Sequence, residues 1–363
     1  MKAKQVSSII LDYWATSQAI ATDLDTNAVG VFLRMLLCRL RYDLDNSHYA
    51  YYNLHTKHFH ECGQYLSKDE LDKFQARVNP GHTDLLDDKI KFFQRCVECD
   101  IPTPQVLALL NPNALPPAHK NDILELRDIG DVERFLLSND KKTLMFKRTT
   151  GSYGLGMLSV TAEGGRGIDH TGKELSATSI WECCKRWPEI FMVQDHLAPH
   201  EDLRPFMPGC ALGTFRVVTY RPKNSDSVSI PYAFAKIPLL GAINDNFHQG
   251  TTGNLLCGID IENGKLKDAW GKRARQTVIS RIMEHPDTGR VFSGTPIPFW
   301  SEILDVAVRA AGSFRELRTV GWDVALTTEG VFVLEGNWHY DPDGHQLTLE
   351  RGIRSEITQL FST

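Results

Sequence analysis

The stretch VGWDVALTTEGVFVLEGN, Val320 to Asn337, reads as two short apolar strands joined by a tight turn and carrying three oxygen ligands. A hairpin loop Thr328-Glu329-Gly330 ends in glycine, the residue that adopts a left-handed backbone without steric cost. That loop predicts Thr327 opposite Val331 and therefore Asp323 opposite Glu335, with Asn337 further along the same face. Like charges opposed across a ladder repel by a few tenths to ~1 kcal/mol, so the two carboxylates call for a cation between them. All three ligands are oxygen, with no cysteine or histidine in register, which favours a hard ion such as Mg2+ over zinc. The competing reading is an amphipathic hairpin with a solvated acidic face.

Residues Lys142 to Val160, KTLMFKRTTGSYGLGMLSV, are the second informative stretch. A strand with Met145 and Lys147 runs into Gly151-Ser152-Tyr153-Gly154-Leu155-Gly156, and a second strand, Met157 to Val160, leaves it. A strand rather than a helix after the glycines fits neither a Walker loop nor a dinucleotide fingerprint. The amides of such a loop can fold over phosphates, with Lys147 as the point charge on their oxygens; a plain hairpin turn is the alternative. Upstream, LDDKIKFFQRCVECDIPTPQVLALL predicts a helix through Ile90, Phe93 and Val97, stopped by Pro102 and Pro104, then a strand, Gln105 to Leu110. Lys89 stands at the helix start, where a cation opposes the helix dipole unless an anion is near, a hint of phosphate.

The 363 residues suffice for two or three domains, and the net charge of -5 offers no general attraction to polyanions, so no nucleic acid partner is expected. Eight scattered cysteines without a secretory leader predict reduced, cytoplasmic thiols, and Cys96 and Cys99 lack the second pair that zinc needs. The longest apolar run, Ala28 to Leu40, is broken by Arg34 and Arg39, so no membrane span is expected. Residues 1 to about 80 show helical spacing. On one helix only His55 and His58 of LHTKHFHEC would share a face, while His60 and Cys62 point elsewhere, which predicts a packed or solvated helix rather than a metal site. Further strands are expected at Ile190 to Leu197, Thr214 to Tyr220 with Arg216, and Pro231 to Leu240 with Lys236. The polar loop INDNFHQGTTGN is of the kind that carries function, and Trp300 to Phe314 predicts an amphipathic helix.

With Lys89, Lys147 and its glycine loop, VQDHL, Arg216 and the spaced Asp323, Glu335 and Asn337 in place, the chain resembles the ATP-grasp superfamily. VQDHLAPH, GTFRVVTY, DNFHQGTTGN, HPDTG, VGWDVALTTEG and LEGNW resemble its sugar-transfer-associated group, over about Leu86 to Gly352. The resemblance implies an α+β fold of two subdomains clasping ATP, here with a helical N-terminal unit. The implied segments are 1–85 helical, 86–138 a small connecting region, 139–198 the lid and 199–363 the C-terminal subdomain. It implies Lys89 and Lys147 on ATP phosphates under a lid loop with Gly151, Ser152, Gly154 and Gly156. Gln194, Asp195 and Leu197 would line the adenine site, chiefly by backbone, with Glu201 toward the ribose, a place His200 also contests. Asp323, Glu335 and Asn337 would hold Mg2+, and Arg216, with Lys147, would act on the transferring phosphoryl group. The implied activity is ligation of a small-molecule carboxylate to an amine through an acyl phosphate, on an amino-acid or sugar-derived substrate. A phosphotransferase and a non-catalytic ATP-binding protein are the alternatives, and a homo-oligomeric state stays open. Tyr153 in the lid loop and the helical N-terminal unit depart from the family pattern.

Overall fold

The computed structural model describes residues 2–81, 83–114, 123–151 and 154–362. The helical spacing of the first segment folds as α1 (Lys2–Leu24), α2 (Ala28–Tyr42), α3 (Asn46–Tyr51) and α4 (Lys68–Val78). Between α3 and α4 the chain makes two 3-10 turns, Leu54–Thr56 and Phe59–Gln64, so the histidine-rich segment is not one helix. His58 and His60 stack on each other at 5.8 Å and Cys62 is buried. Among the described residues no three His, Cys, Asp or Glu side chains converge as a metal site. No described helix is long and apolar enough to cross a membrane.

Helices α5 (Asp84–Asp87) and α6 (Lys89–Glu98) lead into the first sheet. Its strands are β1 (Val106–Leu110), β2 (Leu124–Leu126), β3 (Thr143–Arg148), β4 (Leu158–Glu163), β5 (Arg166–Asp169), β6 (Glu174–Leu175) and β7 (Phe191–Asp195). They run in the order β2-β1-β7-β3-β4-β5-β6. Helices α7 (Ile129–Ser138) and α8 (Ala177–Lys185) cover one face, packing Phe135, Leu136, Ile180 and Trp181 with Leu144, Phe146 and Val193. β1 and β2 lie upstream of residue 139 yet share this sheet, because β1 pairs antiparallel with β7. Local sequence pattern carries no trace of that long-range pairing.

The second sheet holds β8 (Thr214–Tyr220), β9 (Ser229–Ile237), β10 (Leu255–Asp260), β11 (Lys265–Gly271), β12 (Ser280–Ile282), β13 (Thr319–Thr327) and β14 (Gly330–Asn337). Their order is β12-β11-β10-β9-β8-β13-β14. Helix α9 (Trp300–Ser313) lays Ile303, Val306 and Ala310 on Phe215, Val217 and Val324, and α6 adds Phe92 and Cys96 to the same core. Burial of this kind stabilises by about 1.5–3 kcal/mol per large apolar side chain, which makes it the main cement of the larger unit. Helices α10 (Asp343–Leu349) and α11 (Arg354–Ser362) close the chain. The N-terminal helices are tied in as well: Tyr49, Tyr51 and Tyr52 share a core with Phe234, Phe247 and Trp270.

The hairpin of β13 and β14 differs from its expected form in a way that cancels. Thr327 pairs with Gly330, not Val331, so the turn is one residue shorter than expected. Gly330, at φ 122, supplies the conformation that closes it. The register then shifts between Val324 and Asp323, opposite an extra residue, Leu334, which bulges out of the ladder. After that bulge Asp323 stands opposite Glu335, and Gly321 opposite Asn337.

Candidate active site

Four adjacent strands of the second sheet deliver the charges. Asp323 on β13 lies between Glu335 on β14 and Arg216 on β8, and Lys236 on β9 is paired with Thr214 of β8. Each apolar strand thus presents one ionisable side chain to the concave face while its other residues anchor the sheet in the core. Asp323 is only 3% exposed and already carries two cations. Arg216 grips it with both ends of its fork, at 2.5 Å from Nε to Oδ1 and 3.0 Å from Nη2 to Oδ2. Lys236 Nζ donates to Oδ2 at 2.8 Å and lies 3.5 Å from Asp245 Oδ1, while Thr214 donates to the same Asp245 carboxylate.

Burial alone would raise the Asp323 pKa, but Arg216 and Lys236 outweigh it and hold the carboxyl well below the ordinary range. Burial would likewise lower the Lys236 pKa, and Asp245 and Asp323 reverse that. Lys147 behaves differently. Burial pushes its ammonium below the usual lysine value, and Glu335 opposes the fall without cancelling it. The site therefore holds one ammonium that is satisfied by carboxylates and one that is under-compensated and would gain from an added anion.

Between the two sheets runs a cleft of about 1070 Å3, open to solvent. Its lining combines charged groups, Lys89, Lys147, Lys236, Asp195, Asp323 and Glu335, with the apolar Met145, Met157, Met192 and Leu197. A lining of both kinds suits a ligand with a polyanionic tail and a flat aromatic head. The glycine loop roofs the cleft. Lys89 Nζ donates to Gly151 O at 2.8 Å, tying the loop to the start of α6, whose N-terminal amides Asp88 caps. Gly154, at φ 67, approaches the loop between β9 and β10 so closely that a Cβ there would sit 2.6 Å from the Asn244 amide.

Of the expected ligands, Lys89, Lys147, Gly151, Gly154, Asp195, Leu197, Asp323 and Glu335 line this cleft. Ser152 and Tyr153 lie outside the described residues. Gly156 packs instead against Trp187 and Arg148. The Gln194 side chain is turned into the sheet, where its Nε2 donates to Pro104 O at 3.0 Å. Glu201 opens an exposed 3-10 turn, Glu201–Phe206, away from the lining. Arg216 is engaged with Asp323, one layer behind the wall. Asn337 stands beside Glu335, its Nδ2 3.3 Å from Oε1. Three further residues of the wall were not named individually as ligands from the sequence: Lys236, and Asn244 and Asp245 of the polar loop INDNFHQGTTGN. Lys236 did carry a signal, a single lysine inside the apolar strand run YAFAKIPLL, since lysine is almost never buried without a partner.

The oxygen set of Asp323, Glu335 and Asn337 fits a hard divalent ion of the Mg2+ type, which takes one or two carboxylates from the protein and the rest from phosphates and water. With two carboxylates and one amide, the protein's share is of that size.

No curated protein sequence matches the chain. Among solved structures, D-alanyl-alanine synthetase A from Vibrio cholerae O1 biovar eltor str. N16961 is similar at 12% identity and TM-score 0.43, over 77% of this chain and 66% of that one. VanG D-Ala:D-Ser ligase from Enterococcus faecalis gives 9% identity and TM-score 0.40, over 76% and 61%. N5-carboxyaminoimidazole synthase from Aspergillus clavatus, in complex with ADP and 5-aminoimidazole ribonucleotide, gives 9% and 0.39, over 81% and 58%. The chain thus spans about two thirds or less of each of these proteins. The profile described as sugar-transfer associated ATP-grasp matches residues 70–361, a range that takes in both sheets and every expected ligand from Lys89 to Asn337. The chain therefore belongs to the sugar-transfer associated ATP-grasp family and has its two-sheet α+β fold.

Proposed function

We propose that the protein is an ATP-dependent carboxylate-amine ligase that works through an acyl phosphate. The observation that carries this reading is the make-up of the cleft: Lys147 and Lys236 share its lining with Asp323 and Glu335, beside the apolar Met145, Met157, Met192 and Leu197. In this reading the adenine enters the cleft beside Asp195 and Leu197, and the triphosphate runs beneath the glycine loop toward Lys147. Asp323, Glu335 and Asn337 hold Mg2+, which when bound neutralises phosphate charge and polarises the γ-phosphoryl group. Lys147, whose burial Glu335 only partly offsets, gains anionic partners from the phosphates, and Lys89 adds a second ammonium at the loop. Arg216 orients the Asp323 carboxylate by its two-pronged grip rather than facing the phosphoryl group directly.

A substrate carboxylate oxygen attacks the γ-phosphorus, the bond from that phosphorus to its bridging oxygen breaks, and ADP leaves. An amine nitrogen then attacks the acyl carbon, phosphate departs, and the amine gives up a proton. The segment 139–198, with its glycine loop on Asn244, acts as the lid that keeps water from the acyl phosphate. The substrates are a small carboxylate and a small amine, one of them an amino acid or a sugar derivative. All eight cysteines are free thiols, which supports a reducing, cytoplasmic setting.

The test is ADP release from the purified chain with ATP, Mg2+ and pools of acids and amines. Release that needs both pools supports ligation. Release with one pool alone points to a phosphotransferase, and ATP-dependent thermal stabilisation with no release points to a binding protein.

A further inference from the structure

Helix α2 carries two apolar faces; one is buried in the fold, and the other is largely exposed, with Leu36 alone of its seam residues partly packed on the core. Val31, Met35 and Cys38 are buried in the core that joins the N-terminal unit to the second sheet. On the opposite side Val29, Leu33 and Leu40 are 51%, 54% and 82% exposed, with Leu36 half-buried among them. Positions 29, 33, 36 and 40 follow one another at steps of four, three and four residues. That is the spacing of the inner positions of a two-helix coiled coil, and it makes a seam one helix wide. Arg39 and Arg41 border it on either side.

We infer that this seam docks α2 of a second copy of the chain, antiparallel, about a two-fold axis near its middle. In that alignment Leu33 meets Leu36 of the second copy and Val29 meets Leu40, so every layer pairs an inner position with its complement. The flanks match as well. Leu37, 53% exposed, comes opposite Gly30, and a Cβ added at Gly30 meets nothing within 4 Å, so one copy offers the knob and the other the notch. On the other flank Arg39 comes over Phe32, whose ring edge is fixed by Trp14 at 5.6 Å. Beyond the helix ends, Arg41 approaches the exposed Asp25 that precedes α2 in the second copy. A lipid surface would use none of this stepwise matching. The contact is small, so association is expected with a Kd on the order of micromolar or weaker.

The experiment is light scattering on the full chain across a concentration series, with Leu33→Asp and Gly30→Leu. Wild type is expected to rise toward twice the chain mass. Both variants are expected to stay monomeric with unchanged circular dichroism, Leu33→Asp shifting the Kd by roughly a hundredfold or more. Both positions are exposed, so neither change disturbs the core. Orientation is read by oxidation with glutathione disulfide in a Cys183→Ser background, which removes an exposed native thiol. Val29→Cys with Leu40→Cys should give a covalent dimer and Leu33→Cys alone should not. Three results overturn the proposal: a monomeric wild type at every concentration, a dimer indifferent to both substitutions, or Leu33-dependent flotation with anionic vesicles by a monomeric chain.

Discussion

Asp323 joins the charge relay of the site to its stability, and the two roles separate by experiment. Its carboxylate is held by Arg216 and Lys236, so neutralising it leaves the buried Arg216 without its two-pronged partner and Lys236 with Asp245 alone. Asp323→Asn is expected to remove ADP release and also to lower stability by about 3–5 kcal/mol, the cost of breaking a buried ion pair from one side. Glu335→Gln is expected to reduce ADP release at least a hundredfold with thermal melting nearly unchanged, because Glu335 lines the open cleft. Near-native turnover in a folded Glu335→Gln variant would sink the metal assignment. Lys147→Ala should act like Glu335→Gln, since among the described residues no carboxylate lies within ion-pair distance of its ammonium. The pH dependence of Asp323 follows from its depressed pKa. Its contribution is fully present above the ordinary carboxylate value of ~3.9 and is lost as pH falls through the lower folded value. Lys236 was legible as an anomaly in an apolar strand, whereas Asp245 was legible only as part of the polar loop INDNFHQGTTGN, because its pairing with Thr214 and Lys236 is set by the fold rather than by local pattern.

Two elements show how local pattern and tertiary context divide the work. That Asp323 faces Glu335 was readable from the alternation of β13 and β14, but the route was not: the shorter turn and the Leu334 bulge compensate each other. A bulge answers to neighbouring strands and the site, so a single sequence gives no sign of it. Helix α10 holds the second lesson in His345, which is 1% exposed, with neither ring nitrogen bonded. It is enclosed by the rings of Tyr232, Phe234 and Tyr340 at 5.4, 4.8 and 5.8 Å. Burial, helped by the charge of Arg216, lowers its pKa to about 3. The unfolded chain binds this proton near pH 6.5 and the folded chain does not, so stability should fall as pH drops from about 6.5 toward 3. The slope from this one group is at most about 1.4 kcal/mol per pH unit. In urea melts from pH 7.5 to 5, His345→Leu should lose that component relative to wild type. Parallel pH profiles for the two proteins would mean that His345 is accessible to protons in the folded state.

At the scale of the molecule, the two sheets form a clamp, and the glycine loop of one jaw meets the other where Gly154 lies against Asn244. The assignment of the chain to an ATP clasp was legible from six motifs in order. The partition of the sheets was not, because β1 and β2 join the lid's sheet through a pairing remote in sequence. The jaw contact has a consequence for coupling. Gly154 has φ 67, and a β-branched residue there must both leave that conformation and push the loop away from Asn244. Gly154→Val should therefore leave the core and the melting temperature untouched, since the cores lie in other layers. It should raise the KM for ATP about tenfold and admit water above the phosphates. In the proposed reaction water then competes with the amine for the acyl phosphate, so ADP forms faster than the amide product. The readout is the ratio of ADP to amide, near one for wild type and well above one for Gly154→Val, with Asn244→Ala shifting it in the same direction by a smaller amount. A ratio that stays at one while turnover slows would mean that the loop positions ATP but does not seal the intermediate, and water would have to be excluded elsewhere in the cleft.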